Sequence, residues 1–174
     1  MTSRVFILYA LLCIIWGTTW LALKISLNYI PPIFGLGLRF TISSIILWPI
    51  LLRQKPKINR SSTAIKVYLS FSLLSFVAAY SLTYWGAQFI YSSLASIIWA
   101  LLPIFVSIIA HFMLPSEPLT LRRFGGGLFG LAGVAFILSS NGGQKEVQMI
   151  GVLAIFLAVV LASGPNVYLK KHHK

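Results

Sequence analysis

The chain is predicted to be an all-α polytopic membrane protein with six transmembrane helices and both termini cytoplasmic, and three observations predict it. First, six long apolar runs, Val5–Leu23, Ile33–Leu52, Val67–Trp85, Tyr91–Leu114, Leu121–Ser139 and Met149–Tyr168, are separated by short polar connectors. A bilayer core takes about 20 apolar residues per helix, because each residue rises about 1.5 Å through about 30 Å of hydrocarbon. Second, 58% of the residues are hydrophobic and only 9% charged, with a mean hydropathy of +0.90. A soluble domain carries about a quarter charged residues, so this chain has too little polar surface to face water. Third, the cations are asymmetric, and an excess of Lys and Arg marks cytoplasmic loops. With the N-terminus inside, one face collects Arg4, Arg53, Lys55, Lys57, Arg60, Lys66, Arg122, Arg123, Lys170, Lys171 and Lys174. The other face receives Lys24 and Lys145, and Arg39 lies within a run.

A net charge of +12 also suits a nucleic-acid binder, but such proteins gather their cations on one soluble face. Here they lie between apolar runs, so the bilayer is the expected partner and nucleic acid is not. The single cysteine, Cys13, sits in an apolar run as a small hydrophobe and excludes an intrachain disulfide. The three histidines, two of them in the tail, show no metal-ligand spacing, and no metal or cofactor is expected.

The first run starts like a signal peptide, with Arg4 ahead of an apolar core. It is of spanning length and has no small-x-small cleavage site before Lys24, so it reads as a retained helix. Near its outer end lies Trp16-Gly17-Thr18-Thr19-Trp20, where Trp16, Thr19 and Trp20 share one helical face. That face suits the lining of a cavity or an interfacial tryptophan belt.

The second run follows Pro31-Pro32 and contains Arg39, about 9 Å beyond Ile33 at 1.5 Å per residue. A charge so placed costs about 2.5–3.5 kcal/mol on insertion scales. Arg39 therefore reaches back to headgroups, pairs with helix-end carbonyls, or meets an anionic group of a substrate.

The third run offers Ser75, Tyr80, Thr83 and Tyr84, with Tyr80 and Tyr84 on one face. The fourth carries Ser92, Ser96 and Trp99 on one face, then Pro103 at mid-membrane. Proline there removes the donor for the Trp99 carbonyl and kinks the helix. The fifth run is glycine-rich: Gly126 and Gly130 form a small-xxx-small pair, with Gly133 beyond, which reads as close helix packing. No phosphate-loop Lys-Ser/Thr follows these glycines.

The two acids, Glu117 and Glu146, sit in connectors, so no run contains a carboxylate for a proton relay. His111 lies near a membrane boundary. No nucleophile–base pair is present, and an intramembrane enzyme fits poorly.

The sixth run faintly repeats the first. Setting Gly17 on Ser163 places Ile14 on Val160, Leu21 on Val167 and Lys24 on Lys170. A period of five helices is odd, so a second copy starts from the opposite face, as in inverted-repeat transporters.

These features together resemble the drug/metabolite transporter superfamily built from EamA-type repeats. The residues carrying the resemblance are Trp16-Gly17-Thr18-Thr19-Trp20 with Lys24, Pro31-Pro32, Leu38-Arg39-Phe40, the small-residue start at Ser92, Ser93, Ala95 and Ser96, Leu102-Pro103, Glu117-Pro118-Leu119-Thr120 and the glycine-rich fifth run. The resemblance covers residues 5–139 as one five-helix repeat and 149–171 as the opening helix of a second. It implies a ten-helix, two-repeat transporter that exports or exchanges small metabolites, such as amino acids or related compounds, by alternating access. Its usual setting is a bacterial inner membrane. The implied substrate pathway draws on Trp16, Thr19, Trp20, Arg39, Tyr80, Tyr84, Ser96 and Trp99.

Two departures shape the expectation. The chain carries one helix of the second repeat, and Gly164-Pro165-Asn166 stands where Thr18-Thr19-Trp20 would recur. Dual-topology pairing would need balanced charge, and the observed bias makes every copy insert the same way. The chain is thus expected to be a truncated transporter with weak or no flux alone. The alternative is a non-transporting membrane subunit or scaffold completed by a second polypeptide; the expected protein partner is that second membrane polypeptide or a homo-oligomer. A wide aqueous pore is disfavoured by the sparse, aromatic polar positions.

Overall fold

The computed structural model describes residues 3–56, 59–114, 121–140 and 148–172. Each apolar run becomes a helix: α1 (Ser3–Ser26), α2 (Pro32–Gln54), α3 (Ser62–Gly86), α4 (Ser92–Met113), α5 (Leu121–Ser140) and α6 (Met149–His172). Among the described residues, α1, α2, α3, α4 and α6 are long and apolar enough to cross a bilayer. The connector acids Glu117 and Glu146, together with Lys57, Lys145 and Lys174, lie outside the described residues.

Local chemistry sets the helix limits. Pro32 opens α2 at a position whose N–H would lack a partner anyway. Lys55 ends it in the left-handed region at φ 42°, returning its N–H to Leu51 O. Ser61 caps α3, its Oγ accepting from Ala64 N at 3.2 Å.

Two helices are irregular inside. Phe71–Ala79 of α3 is a π-helical segment, and Tyr80 N donates to Ser75 O, five residues back. In α4, regular winding lapses at Ala100–Leu101, where Leu101 N turns back only three residues to Ile98 O. The lapse directly precedes Pro103, whose missing N–H leaves the Trp99 carbonyl without its helical donor.

The core is built around α6. Over half of its apolar window, 56%, is buried, against 0% for α1 and 6% for α2. Ile155 and Val159 of α6 meet Leu94 and Ile98 of α4 in the fully buried layer. Ala158 and Ala162 close against Ala79 at the end of the π segment, so small side chains bring α3 and α6 together as they do in lipid-embedded bundles. The tightest approach is at Gly86 and Gly151. A Cβ on Gly151 would sit 2.7 Å from Gly86 O and 2.8 Å from Phe89 Cβ. By contrast, α1 and α2 present Phe6, Ile45 and Trp48 outward, as helices bathed in lipid do.

One end of the bundle gathers the close of α1, the turn after α3 and the start of α6. There Lys24 Nζ donates to Ala87 O (2.7 Å), Gln88 O (3.1 Å) and Ile90 O (2.7 Å), and Gln148 N donates to Phe89 O (3.3 Å). An ammonium at a helix C-terminus satisfies carbonyls that have no helical donor and complements the helix dipole. At the opposite end, Leu169 and His172 of α6 border the same cleft as Ser61 and Tyr68.

In the glycine-rich α5, an added Cβ at Gly127 would come 3.0 Å from Ile104 Cγ2, and one at Gly130 would come 3.1 Å from Leu101 Cδ2. Added at Gly126 or Gly133 it meets nothing within 4 Å. Among the described residues, the close seam is therefore Gly127 with Gly130, on the side that faces the break in α4.

Candidate functional site

A cavity of 190 Å³ opens between α1, α2, α3 and α4. Trp16, Thr19 and Trp20 come from α1, Arg39 from α2, Tyr80 and Thr83 from α3, and Trp99 from α4, with Ile15 and Leu23 completing the wall. Counted from the helix ends nearest Lys24, Thr19, Arg39, Tyr80 and Trp99 each lie about 9–11 Å along their helices. Four helices thus deliver polar or aromatic groups at one depth.

The aromatic wall is continuous. Trp20 and Trp99 have centroids 6.2 Å apart, and Trp99 lies 5.9 Å from Tyr80. Tyr80 stacks on Phe76 at 6.2 Å and 12°, while Phe40 sets its edge against both at 5.6 Å. Each such pair adds about 0.5–1.5 kcal/mol beyond burial. The π segment ends at Tyr80, and segments of this kind recur at functional sites.

Hydrogen bonds fix two members. Thr83, buried, donates from Oγ1 to Ala79 O at 2.7 Å and accepts from Trp99 Nε1 at 3.1 Å. Trp99 is thereby held in one orientation. The Arg39 guanidinium lies 5.6 Å from the Tyr80 ring centroid, within cation–π range. Thr19 Oγ1 donates to Ile15 O at 2.6 Å and keeps its lone pairs.

The sequence-predicted residues divide as follows. Trp16, Thr19, Trp20, Arg39, Tyr80 and Trp99 border the cavity, with Trp16 at its rim, 68% exposed. Tyr84 is buried and borders a neighbouring cavity of 370 Å³ between α1 and α2, which also touches Thr19, Leu23 and Arg39. Arg39 thus stands between the two spaces. Ser96 borders neither, its Oγ donating to Ser93 O at 2.7 Å. Pro103 lies one turn beyond Trp99, after the lapse in α4. Thr83 joins the site through its bond to Trp99, and its spacing three residues after Tyr80 was the one signal for it.

Among the described residues, no group of three or more His, Cys, Asp or Glu side chains is placed to hold a metal.

Helices of spanning length around an aromatic, cation-bearing cavity define a multi-pass membrane protein of the transporter class. The EamA-like transporter family model matches residues 4–139, and the chain belongs to that family. It is 32% identical over 162 residues to "Uncharacterized transporter YoaV" of Bacillus subtilis (strain 168), covering 92% of this chain and 55% of that protein. It is 31% identical over 157 residues to an "Uncharacterized transporter" of Buchnera aphidicola subsp. Schizaphis graminum, covering 90% and 52%. It is 30% identical over 162 residues to "Protein PagO" of Salmonella typhimurium, covering 89% and 51%. The chain thus spans about half the length of the curated relatives it matches. No solved structure matches it.

Proposed function

We propose that this protein moves small metabolites, such as amino acids or related compounds, across a bacterial inner membrane by alternating access, with the aromatic cavity as the solute site. The observation that carries the proposal is convergence: four helices bring Trp20, Arg39, Tyr80 and Trp99 to one depth around one space. A plain packing core would fill that space with aliphatic side chains, as the layer of Ile155, Val159 and Ile98 does.

In this reading, residues 5–139 form one five-helix repeat and 149–171 open an inverted second one. All six helices cross the membrane, and the ends carrying Arg4, Arg60, Lys66, Lys170 and Lys171 face the cytoplasm, following the charge bias. The cavity is then about 10 Å below the outer surface, because Lys24 and the turn after α3 mark the outer end. Alternating access rocks one repeat against the other around such a site.

The test is saturable flux in membrane vesicles from cells producing the protein, with a panel of labelled small metabolites. Flux above control vesicles that falls with Trp99→Ala supports the proposal. Flux equal to control for the whole panel, with a co-purifying hydrophobic polypeptide, would favour the scaffold reading.

A further inference from the structure

We propose that the cavity selects small organic anions, an apolar or aromatic body carrying one carboxylate-like group, and that Arg39 is the residue that imposes this choice. The inference rests on reading the cavity as the solute site and adds its chemistry.

The polar groups of the wall are mostly donors. Arg39 brings a guanidinium whose recorded contact is the face of Tyr80, with no hydrogen bond or ion pair to another described residue. The Tyr80 hydroxyl and the Trp20 indole N–H likewise have no partner among the described residues. Acceptors are scarce. Thr83 Oγ1 already donates to Ala79 O and accepts from Trp99 Nε1, which leaves the lone pairs of the Thr19 and Tyr80 hydroxyls. The chain contains only two acids, Glu117 and Glu146, and no acidic side chain is among the described residues.

A solute cation would therefore find π faces and two hydroxyls, beside a fixed positive charge that repels it. A carboxylate would find a planar fork that can bind both its oxygens, with further N–H and O–H donors nearby and flat apolar walls for its body. The Tyr80 ring, 5.6 Å from the guanidinium carbon, keeps Arg39 at the cavity wall.

The protein contains its own reporter, since Trp16, Trp20 and Trp99 border the cavity. Tryptophan emission is followed in nanodiscs while phenylacetate, phenylalanine or phenethylamine is added, three probes that share a phenyl body and differ in charge. Empty nanodiscs define nonspecific quenching, and the amplitude lost in a Trp99→Phe variant measures the signal that arises at the cavity. Phenylacetate is expected to quench saturably, with a half-saturation concentration at least about tenfold below that of phenethylamine, the factor one charge-assisted hydrogen bond supplies. Phenylalanine should fall between them. Arg39→Gln is expected to erase the preference, and Arg39→Lys to keep part of it, with helical circular dichroism unchanged.

Equal or tighter binding of phenethylamine, an intact preference in Arg39→Gln, or no saturable quenching by any probe would overturn the inference. Flux is read separately. Phenylacetate that binds but is not carried would overturn the transport reading and leave the anion site standing.

Discussion

Trp99 Nε1 donates to Thr83 Oγ1 across 3.1 Å, and the same oxygen donates to Ala79 O at 2.7 Å. This relay joins α4 to α3 in the cavity wall and sets the ring that Trp20 and Tyr80 pack against. Thr83→Val keeps the shape but leaves the Trp99 N–H without a partner. We expect it to lower stability by about 1–3 kcal/mol, the cost of an unpaired buried donor. Thr83→Ser should lose less, and thermal unfolding in detergent separates the two.

Lys24 gives its end of the bundle its clearest single bond set, three carbonyls within 3.1 Å. Lys24→Met retains the apolar stem and removes the charge. It is expected to cost about 2 kcal/mol or more, since hydrogen bonds to charged groups are worth about 1.5–3 kcal/mol. Amide exchange should quicken across the turn 87–91 and stay unchanged at the far end, near Ser61.

The glycines give a contrast within one protein. Gly151→Ala would put a methyl 2.7 Å from Gly86 O, where backbone must move, and overpacking of this kind costs about 1–3 kcal/mol. Gly126→Ala meets nothing within 4 Å and should be neutral or slightly stabilising, because alanine favours the helix. Side-by-side melting curves check the pair.

Ser75 lies in the π segment with its Oγ buried and without a hydrogen-bond partner among the described residues. Ser75→Ala removes a hydroxyl that has lost its water and gained nothing. Stability should rise by about 1 kcal/mol, and a fall of that size would show that the hydroxyl is engaged.

Much of the fold was legible because apolar length is a direct physical demand of the bilayer. The run Ile33–Leu52 became Pro32–Gln54, and Met149–Tyr168 became Met149–His172. The helices continue one turn or less into polar residues, where hydropathy is silent but winding persists. The π segment was not legible: Phe71–Ala79 contains neither proline nor glycine to mark a break in regular winding. Face arguments also weaken inside a regular turn, because a serine can bond back to its own helix instead of facing the cavity. Ser96 and Trp99 share a face by spacing, yet Trp99 borders the cavity and Ser96 turns to Ser93 O. The role of Lys24 was equally hidden, because its carbonyl partners lie more than sixty residues away in the chain.

The central claim is that the space around Thr19, Trp20, Tyr80 and Trp99 opens to each side of the membrane in turn. Cys13 is the only cysteine in the chain, so Cys13→Ala with Thr19→Cys places a single thiol at that space. A membrane-impermeant maleimide, applied to right-side-out and to inside-out vesicles from cells producing the protein, reads its exposure to each side. The account predicts labelling from both faces, because alternating access presents one site to each compartment. Labelling from one face alone, or from neither, would contradict it.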